Sequence, residues 1–276
     1  MTLEETMREL ERLGTEQTRK TYLRHGAPQP LSGVNFGPLA VLKKRIGTDA
    51  VLARALWASG HVEARFLATM VVDAPEMPWK ELDAWAKGLD WYGLTPVFVT
   101  NVVLRSPHAV KALAWTQSKS EWVGQAGWQT LSALLTKTAV LADEDLLPWV
   151  KRIEQELPGA KNRVRDAMNS ALIALGATGG AVQTVALATA KRLGKVDVDQ
   201  GDTACKTPDA AQYIRKIQAR KEARASAKAD SVASAPKQKR AAAKKPGATK
   251  PPAATKRATT KPAAKKPSAA RTRPRA

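Results

Sequence analysis

The sequence has few of the residues on which disulfide frameworks, metal centres and membrane anchors depend. Cys205 is the only cysteine among 276 residues, so an intrachain disulfide is excluded and a reducing compartment is indicated. The three histidines (His25, His61 and His108) are too far apart in sequence to predict a metal site. No apolar run approaches the roughly 20 residues that span a bilayer, and the first residues lack the apolar core of a signal peptide. We therefore predict a cytoplasmic protein without metal, cofactor or membrane attachment.

Strand signals are also scarce, because no Asn-Gly or Asp-Gly turn separates alternating apolar runs. Residues 1–218 instead divide into helical segments of about 10–18 residues, separated by short Gly, Pro or Ser/Thr breaks. The first segment opens with a capping box formed by Thr2 and Glu5. The predicted fold class is all-α. The predicted helices lie near 3–13, 15–24, 36–46, 49–59, 62–72, 78–87, 96–104, 107–115, 120–135, 143–156, 160–175 and 181–193, with a last helix from 208.

Two of these segments suggest an internal repeat. Residues 120–135 and 160–176 both have a polar start followed by a face of small residues and leucine, and they begin about 40 residues apart. This period favours a HEAT-like α-solenoid, in which each helix pair buries its inner face against its neighbours. An irregular α-bundle is the alternative that periodicity leaves open.

The charge divides the chain into two parts. Of the 45 Lys and Arg and 25 Asp and Glu, residues 219–276 hold 18 cations and two acids, which leaves 27 cations and 23 acids for residues 1–218. The segment 219–276 is also rich in Ala and Pro and has no aromatic residue. Such a segment does not bury enough apolar surface to offset the entropy of ordering. We predict a helical-repeat domain over 1–218 and a disordered cationic tail over 219–276, whose composition resembles the tails of linker-histone-like nucleoid proteins.

Four segments, in this order, resemble the bacterial DNA alkylation repair family, the AlkD-like group of HEAT-repeat DNA glycosylases. They are RHGAPQPLSGVNFGPLAVLKKRIG (24–47), ARFLATMVVD (64–73), LDAWAKGLDWYGLTPVFVTNVVLRSPHAVKALAWTQSKSEWVGQAGWQTLSALL (82–135) and KNRVRDAMNSALIALG (161–176). The resemblance implies a C-shaped solenoid whose concave, basic face holds duplex DNA. Active members of the family remove N3- or N7-alkylated purines without drawing the base into a pocket, and the helical pattern itself predicts no such pocket.

The catalytic pattern of the family resembles Trp-Asp-x-x-Asp, whose second acid stabilises the oxocarbenium-like sugar. On this chain Trp91 matches the aromatic residue, Tyr92 replaces the first Asp, and Thr95 replaces the catalytic acid. Asp90 lies one residue before Trp91 and would serve only if the helix register shifted. If the chain is an enzyme, Asp90, Trp91 and Tyr92 are the expected catalytic residues.

Three further positions carry over from the resemblance. A second site Trp falls at Ser170, a phosphate-contacting Arg falls at Gln125, and a polar residue near the lesion falls near Asn35. Thr95, Ser170 and Gln125 have all lost the side chain that the family uses, so a vacated glycosylase site is expected.

Basic residues near helix ends are the expected phosphate contacts, because cationic side chains bind the DNA backbone whatever its sequence. In the body they are Lys43, Lys44, Arg45, Arg105, Lys161, Arg163 and Arg165, and in the tail they are Lys244, Lys245, Lys265 and Lys266. If roughly 6–10 tail cations engage phosphates, affinity should fall by about 10³–10⁵ between 50 and 200 mM salt.

Three functions are consistent with these features. The chain is expected to be a nucleoid-associated DNA-binding protein of the alkylation repair type, which recognises or removes alkylated bases in duplex DNA. The alternatives are a non-catalytic binder of distorted or branched DNA, and a protein-interaction scaffold that only the tail attaches to nucleic acid. Backbone charge does not distinguish RNA from DNA, and the sequence does not indicate an oligomeric state.

Overall fold

The computed structural model describes residues 1–138, 141 and 145–233, and these form helices and no strand. The α-helices are α1 (Leu3–Leu13), α2 (Glu16–Arg24), α3 (Phe36–Ile46), α4 (Ala50–Ala58), α5 (Val62–Val71), α6 (Trp79–Lys87), α7 (Thr95–Asn101), α8 (Glu121–Lys137), α9 (Leu147–Glu156), α10 (Asn162–Gly176), α11 (Gly180–Leu193) and α12 (Ala210–Ala233). Short 3-10 helices cover Val103–Arg105, Lys111–Gln117 and Leu157–Gly159. The predicted all-α class is confirmed for the described residues.

Most helices begin where the sequence predicts, because side chains cap their first turns. Thr2 and Glu5 form the predicted capping box on α1, and Asn35 and Asp49 accept hydrogen bonds from the first backbone amides of α3 and α4. The helix predicted over 107–115 is wrong, since this stretch contains turns and then the 3-10 helix Lys111–Gln117. In a segment this short, Ala and Trp spacing does not distinguish the two helix types.

Five helices pack side by side in the order α3, α5, α7, α8, α10, and we call them the central row. The second row contains α4, α6, α9 and α11, and α4 and α11 pack directly against α5 and α10. Contacts at both ends show that α8 and α10 run parallel. Near their amino ends the Glu121 carboxylate accepts from the Arg163 backbone N–H at 2.7 Å, and near their carboxyl ends Thr136 and Ala177 line one cavity.

Aromatic side chains fill the core between the rows. Trp57 and Trp85 stack with ring centroids 4.3 Å apart, and Trp128 is fully buried. The α8 backbone closely approaches the 3-10 helix Lys111–Gln117 at Gly127, where an added Cβ would lie 2.4 Å from the Thr116 nitrogen. Glycine is therefore required at this crossing.

A buried carboxylate closes the loop between α2 and α3. Glu63 on α5 is fully buried and accepts hydrogen bonds from the backbone N–H groups of Ser32 (3.1 Å), Gly33 (2.6 Å) and Val34 (2.9 Å). Since buried backbone donors need partners, this one side chain fixes the path of the chain into the central row.

His61 lies beside this carboxylate and makes the stability of the fold dependent on pH. Burial lowers the pKa of His61, and the charge of Arg19 lowers it further, whereas Glu63 opposes the shift. The unfolded state therefore binds the proton more readily, so the free energy of unfolding should fall as pH drops below about 6.5. Urea unfolding at pH 7.5 and pH 5.5 should show this loss in the natural protein and a smaller loss in His61→Gln. An equal loss in both proteins would contradict the assignment to His61.

The last helix extends further than the sequence pattern indicates. The boundary predicted at residue 218 falls inside α12, which continues to Ala233. Residues 234–276 lie outside the described residues, and with them the tail cations Lys244, Lys245, Lys265 and Lys266.

Candidate nucleic-acid interface

Trp91, the aromatic residue expected at a catalytic site, is a core residue. It is 5 % exposed, its indole Nε1 donates to the His25 carbonyl oxygen at 2.7 Å, and its ring packs on Tyr22 and Phe66. Its faces are therefore covered by protein. The expectation that Trp91 is a catalytic residue is corrected accordingly, since its ring is not open to a nucleotide.

Asp90 is held by an ion pair. The Nη1 atom of Arg65 lies 2.8 Å from the Asp90 Oδ2 atom, and the Arg65 guanidinium also lies over the Trp57 ring. This pair links α5 to the turn before α7. Asp90 therefore has a structural partner, and its charge is already balanced.

Tyr92 connects three distant parts of the chain. Its hydroxyl is 2.6 Å from the Nδ1 atom of His25, and the Arg163 guanidinium lies 3.8 Å from its ring centroid. Burial raises the pKa of Tyr92, an effect that the positive charge of Arg163 opposes. Arg163 in turn donates to the side-chain oxygen of Gln200 at 2.9 Å. Because Arg163 is 8 % exposed and engaged on both sides, it is a packing residue rather than the predicted phosphate contact.

Two other predicted cations lie near the amino end of α10. Lys161 is exposed and its Nζ donates to the Lys119 carbonyl oxygen at 2.8 Å. Arg165 is half-buried, and its Nε has no hydrogen-bond partner within the part of the chain that is described. Of the three cations predicted here, Lys161 is the one whose exposure suits a phosphate.

The carboxyl ends of the central-row helices lie next to one another, and we call this surface the carboxyl edge. Asp49, which follows α3, donates its backbone N–H to the carbonyl oxygen of Val71 at the end of α5. The Asn101 amide at the end of α7 donates to the Thr69 hydroxyl of α5 at 3.0 Å. These bonds align the ends of α3, α5 and α7.

The same alignment continues to α8 and α10. The Lys137 ammonium at the end of α8 lies 3.5 Å from the Thr100 hydroxyl of α7, and Lys221 of α12 donates to the Ala177 carbonyl oxygen after α10. Several exposed cations lie at or just after these helix ends. They are Lys43, Lys44, Arg45, Arg105, Lys137 and Lys221. Within the described residues only Arg45 of this group forms an ion pair, with Glu9, and Asp73 after α5 supplies an opposing charge nearby.

A cavity of about 450 Å³ opens beside the carboxyl edge, between α7, α8, α10 and α12. Its walls are mainly apolar, and Ser170, Gln129 and Tyr213 contribute polar atoms. The cavity is open to the surface, so it does not contradict the expectation that the helices form no deep pocket for an extruded base.

Within the described residues, no group of three or more His, Cys, Asp or Glu side chains is placed to hold a metal ion. Among those same residues, no helix is both long and apolar enough to cross a membrane.

Comparison with known proteins decides the family. The model of the family described as DNA alkylation repair enzyme matches residues 6–214, which is most of the chain. The chain belongs to the DNA alkylation repair enzyme family. The predicted resemblance is therefore confirmed for the helical body.

Two relatives and one solved structure extend this result. Uncharacterized proteins of Listeria monocytogenes (Lmo0209) and Listeria innocua (Lin0241) are each 27% identical over 226 residues, covering 80% of this chain and 99% of theirs. A solved structure of a protein family described as related to the HEAT-like repeat DNA glycosylases, with affinity for branched DNA structures, superposes with a TM-score of 0.73. It is 26% identical and covers 80% of this chain and 95% of that one. The predicted HEAT-like repeat fold is confirmed.

Membership of the DNA alkylation repair enzyme family makes the burial of Thr95 informative. Thr95 occupies the position where the resemblance places the catalytic acid, yet it is 0 % exposed and its hydroxyl donates to the Trp91 carbonyl oxygen at 3.3 Å. The next residue, Pro96, is exposed and lines the cavity. At this point of α7 the cavity wall carries a proline ring, which has no charge to stabilise a cationic sugar.

The other carried-over positions also differ from the family pattern. Gln125 is buried, and its amide oxygen has no partner within the described residues, so it does not reach a phosphate. Ser170 is exposed at the cavity wall, where it presents a hydroxyl in place of an indole. Asn35 is exposed, and its side chain caps α3 by accepting from the Gly37 backbone N–H at 3.1 Å.

Sequence reasoning missed three residues of this surface. Lys137 and Lys221 extend the carboxyl edge, and Tyr213 is an aromatic residue that is 44 % exposed beside the cavity. A basic residue at the end of a predicted helix was the available signal for Lys137. Nothing in the sequence brings Tyr213 to α7, because that contact depends on how α12 packs.

Proposed function

We propose that the protein binds branched or distorted DNA along the carboxyl edge and does not excise alkylated bases. The observation that carries this proposal is the burial of Thr95, which stands at the position of the catalytic acid and has no carboxylate. The solved structure whose family has affinity for branched DNA structures supports the same conclusion, because the structural match covers 95% of that chain.

The charges of the carboxyl edge support a backbone-reading mode. Lys43 and Lys44 lie in the last turn of α3, Arg105 follows α7 and Lys137 ends α8, and all four are exposed. The negative ends of the helix dipoles also favour cations there. A row of such cations binds phosphates without reading bases. Branched DNA offers phosphates on diverging strands, so it can engage more of this row than a straight duplex.

In this proposal the tail has a separate role. Residues 234–276 carry cations and no acid, and such a segment binds polyphosphate without regard to sequence or branching. It would hold the protein on chromosomal DNA, and so in the nucleoid, while the body selects the branch.

The proposal predicts that reversing charges on the carboxyl edge removes the preference for junctions over linear duplex. The variant combines Lys44→Glu, Arg105→Glu and Lys137→Glu in the full chain. Binding to a four-way junction and to a linear duplex of the same length is measured by fluorescence anisotropy over a range of salt concentrations. We expect about a hundredfold loss of junction affinity at low salt, and a salt slope smaller by about 3 because three phosphate contacts are lost.

The control makes the same change in net charge on the second row. It combines Lys80→Glu, Lys151→Glu and Lys191→Glu, which are exposed on α6, α9 and α11. We expect this variant to keep the ratio of junction to duplex affinity. Equal losses in the two variants would overturn the carboxyl-edge proposal and leave the tail as the DNA-binding element of a scaffold protein.

A further inference from the structure

Helix α12 is fixed to the body at its start and leaves the body at the carboxyl edge. Ile214 is fully buried and packs against Gly176 at the end of α10. Two turns later the Lys221 ammonium donates to the carbonyl oxygen of Ala177, just after α10. Residues 222–227 of the same helix are all exposed. The direction of α12 is therefore set by packing, and the turns that follow extend into solvent.

The exposed part of α12 is helical through its own composition. Residues 218–227 read QARKEARASA, and Ala, Arg, Lys, Gln and Glu are all strong helix formers. The packed turn at Ile214 supplies the costly first turn from which such a helix extends. Residues 218–227 contain no apolar side chain larger than alanine, so they offer no face for a lipid surface or an apolar protein partner. A polyanion is the partner that this composition suits.

Three cations form a stripe along α12, which we call the α12 stripe. Lys216, Arg220 and Arg224 are exposed and four residues apart, so they lie one above another over about 12 Å. None of them forms an ion pair with another of the described residues. Glu222 is two residues from both arginines and so faces another side of the helix. The stripe begins one turn after Tyr213, which lines the open cavity beside the carboxyl edge.

We propose that the α12 stripe is a second DNA-binding surface, which holds one duplex arm of a branched DNA while another arm lies along the carboxyl edge. Exposed cations of this kind bind phosphates of any sequence. Membership of the family does not imply this surface, because the family match ends at residue 214, before the first cation of the stripe.

The inference rests on the proposed function and deepens it, because it explains how the body distinguishes a branch from a straight duplex. Residues 222–227 leave the row of helix ends, so a straight duplex along the carboxyl edge does not follow them. Arms that diverge at a junction can contact both surfaces at once. Two linked contacts bind more tightly than either contact alone.

The first test removes the charges of the stripe in the full chain. The variant combines Lys216→Gln, Arg220→Gln and Arg224→Gln, since glutamine is also a good helix former. Binding to a three-way junction and to a linear duplex of equal length is measured by fluorescence anisotropy over a range of salt concentrations. We expect the junction affinity to fall about tenfold more than the duplex affinity, and the salt slope for the junction to decrease by about 3.

The matched control makes the same change in net charge in the tail. It combines Lys244→Gln, Lys245→Gln and Lys265→Gln. We expect this variant to weaken binding to the junction and to the duplex by the same factor, because a tail of this composition binds phosphate without regard to branching. If the stripe variant also weakened both by the same factor, α12 would be only an extension of the tail and the proposal would be overturned.

The second test keeps every charge and breaks the helix. Ala219→Pro interrupts α12 between Lys216 and Arg220, because proline lacks the backbone N–H and clashes with the preceding turn. Ala219→Ser is its control, which retains the helix at this exposed position. We expect Ala219→Pro to lose the preference for junctions as the stripe variant does, and Ala219→Ser to keep it. A full preference in Ala219→Pro would contradict a surface that depends on the direction of α12.

The outcomes distinguish the α12 stripe from the proposed function. If the natural protein prefers junctions to linear duplex and the stripe variant keeps that preference, the second surface is overturned and the proposed function stands. If the natural protein shows no junction preference at all, the proposed function itself fails.

Discussion

Thr95→Asp is expected to destabilise the fold by about 3 kcal/mol or more, without producing alkylpurine excision. The Thr95 side chain is 0 % exposed and points toward the Trp91 carbonyl oxygen, which repels a carboxylate. The substitution restores the residue type that the family uses at this position, but in this fold it places an unpaired charge inside the core. Placing the family's residue type at position 95 is therefore not expected to produce excision.

Urea unfolding and an abasic-site assay on DNA containing N7-methylguanine check the two parts of this prediction. Thr95→Val is the matched control, and it should cost about 1 kcal/mol because it removes one hydrogen bond and no volume. Abasic sites accumulating with either the natural protein or Thr95→Asp would contradict the proposal that the protein does not excise alkylated bases. A Thr95→Asp protein as stable as Thr95→Val would show that this position reaches solvent.

Glu63→Ala is the second substitution with a large expected effect, about 3–5 kcal/mol of lost unfolding free energy. The change leaves the backbone N–H groups of Ser32, Gly33 and Val34 buried without an acceptor. Because this loop leads into α3, we also expect its amide hydrogens to exchange faster. Equilibrium unfolding and hydrogen exchange measure the two effects.

Glu81→Ala is the control for this substitution. Glu81 forms an ion pair with Arg54 at 2.7 Å on the protein surface, and removing it should cost less than about 1 kcal/mol. If both glutamates proved equally dispensable, the carboxylate of Glu63 would not be what holds the loop against α5.

The structure gives packing roles to residues at the positions of the family's catalytic pattern. The indole of Trp91 joins α2 to α5, and that packing role does not depend on catalysis. Thr95 and Ser170 lie on helices that the fold needs in any case. The row of parallel helices, with its cationic ends, is therefore maintained by packing and remains available for binding DNA.

Helix positions were largely predictable, because capping residues and apolar periodicity are local properties of the chain. Thr2, Asn35 and Asp49 cap the helices that the sequence predicts. The helix predicted over 107–115 was wrong, because the spacing of apolar residues in so short a segment does not distinguish an α-helix from a 3-10 helix. The boundary predicted at residue 218 does not mark the end of α12, because the composition of the chain changes before the helix ends.

The sequence by itself determined the helical class, the repeated helix pairs, the family, and the division of charge between body and tail. Only the tertiary structure decided that Trp91 and Thr95 are buried, that Arg163 packs on Tyr92, and that a cavity opens beside Tyr213. The physical reason is that periodicity defines which face of a helix is apolar, but not which residues at the margin of that face are covered. Whether a side chain at the margin of that face meets DNA or the core depends on the neighbouring helices, which are distant in sequence.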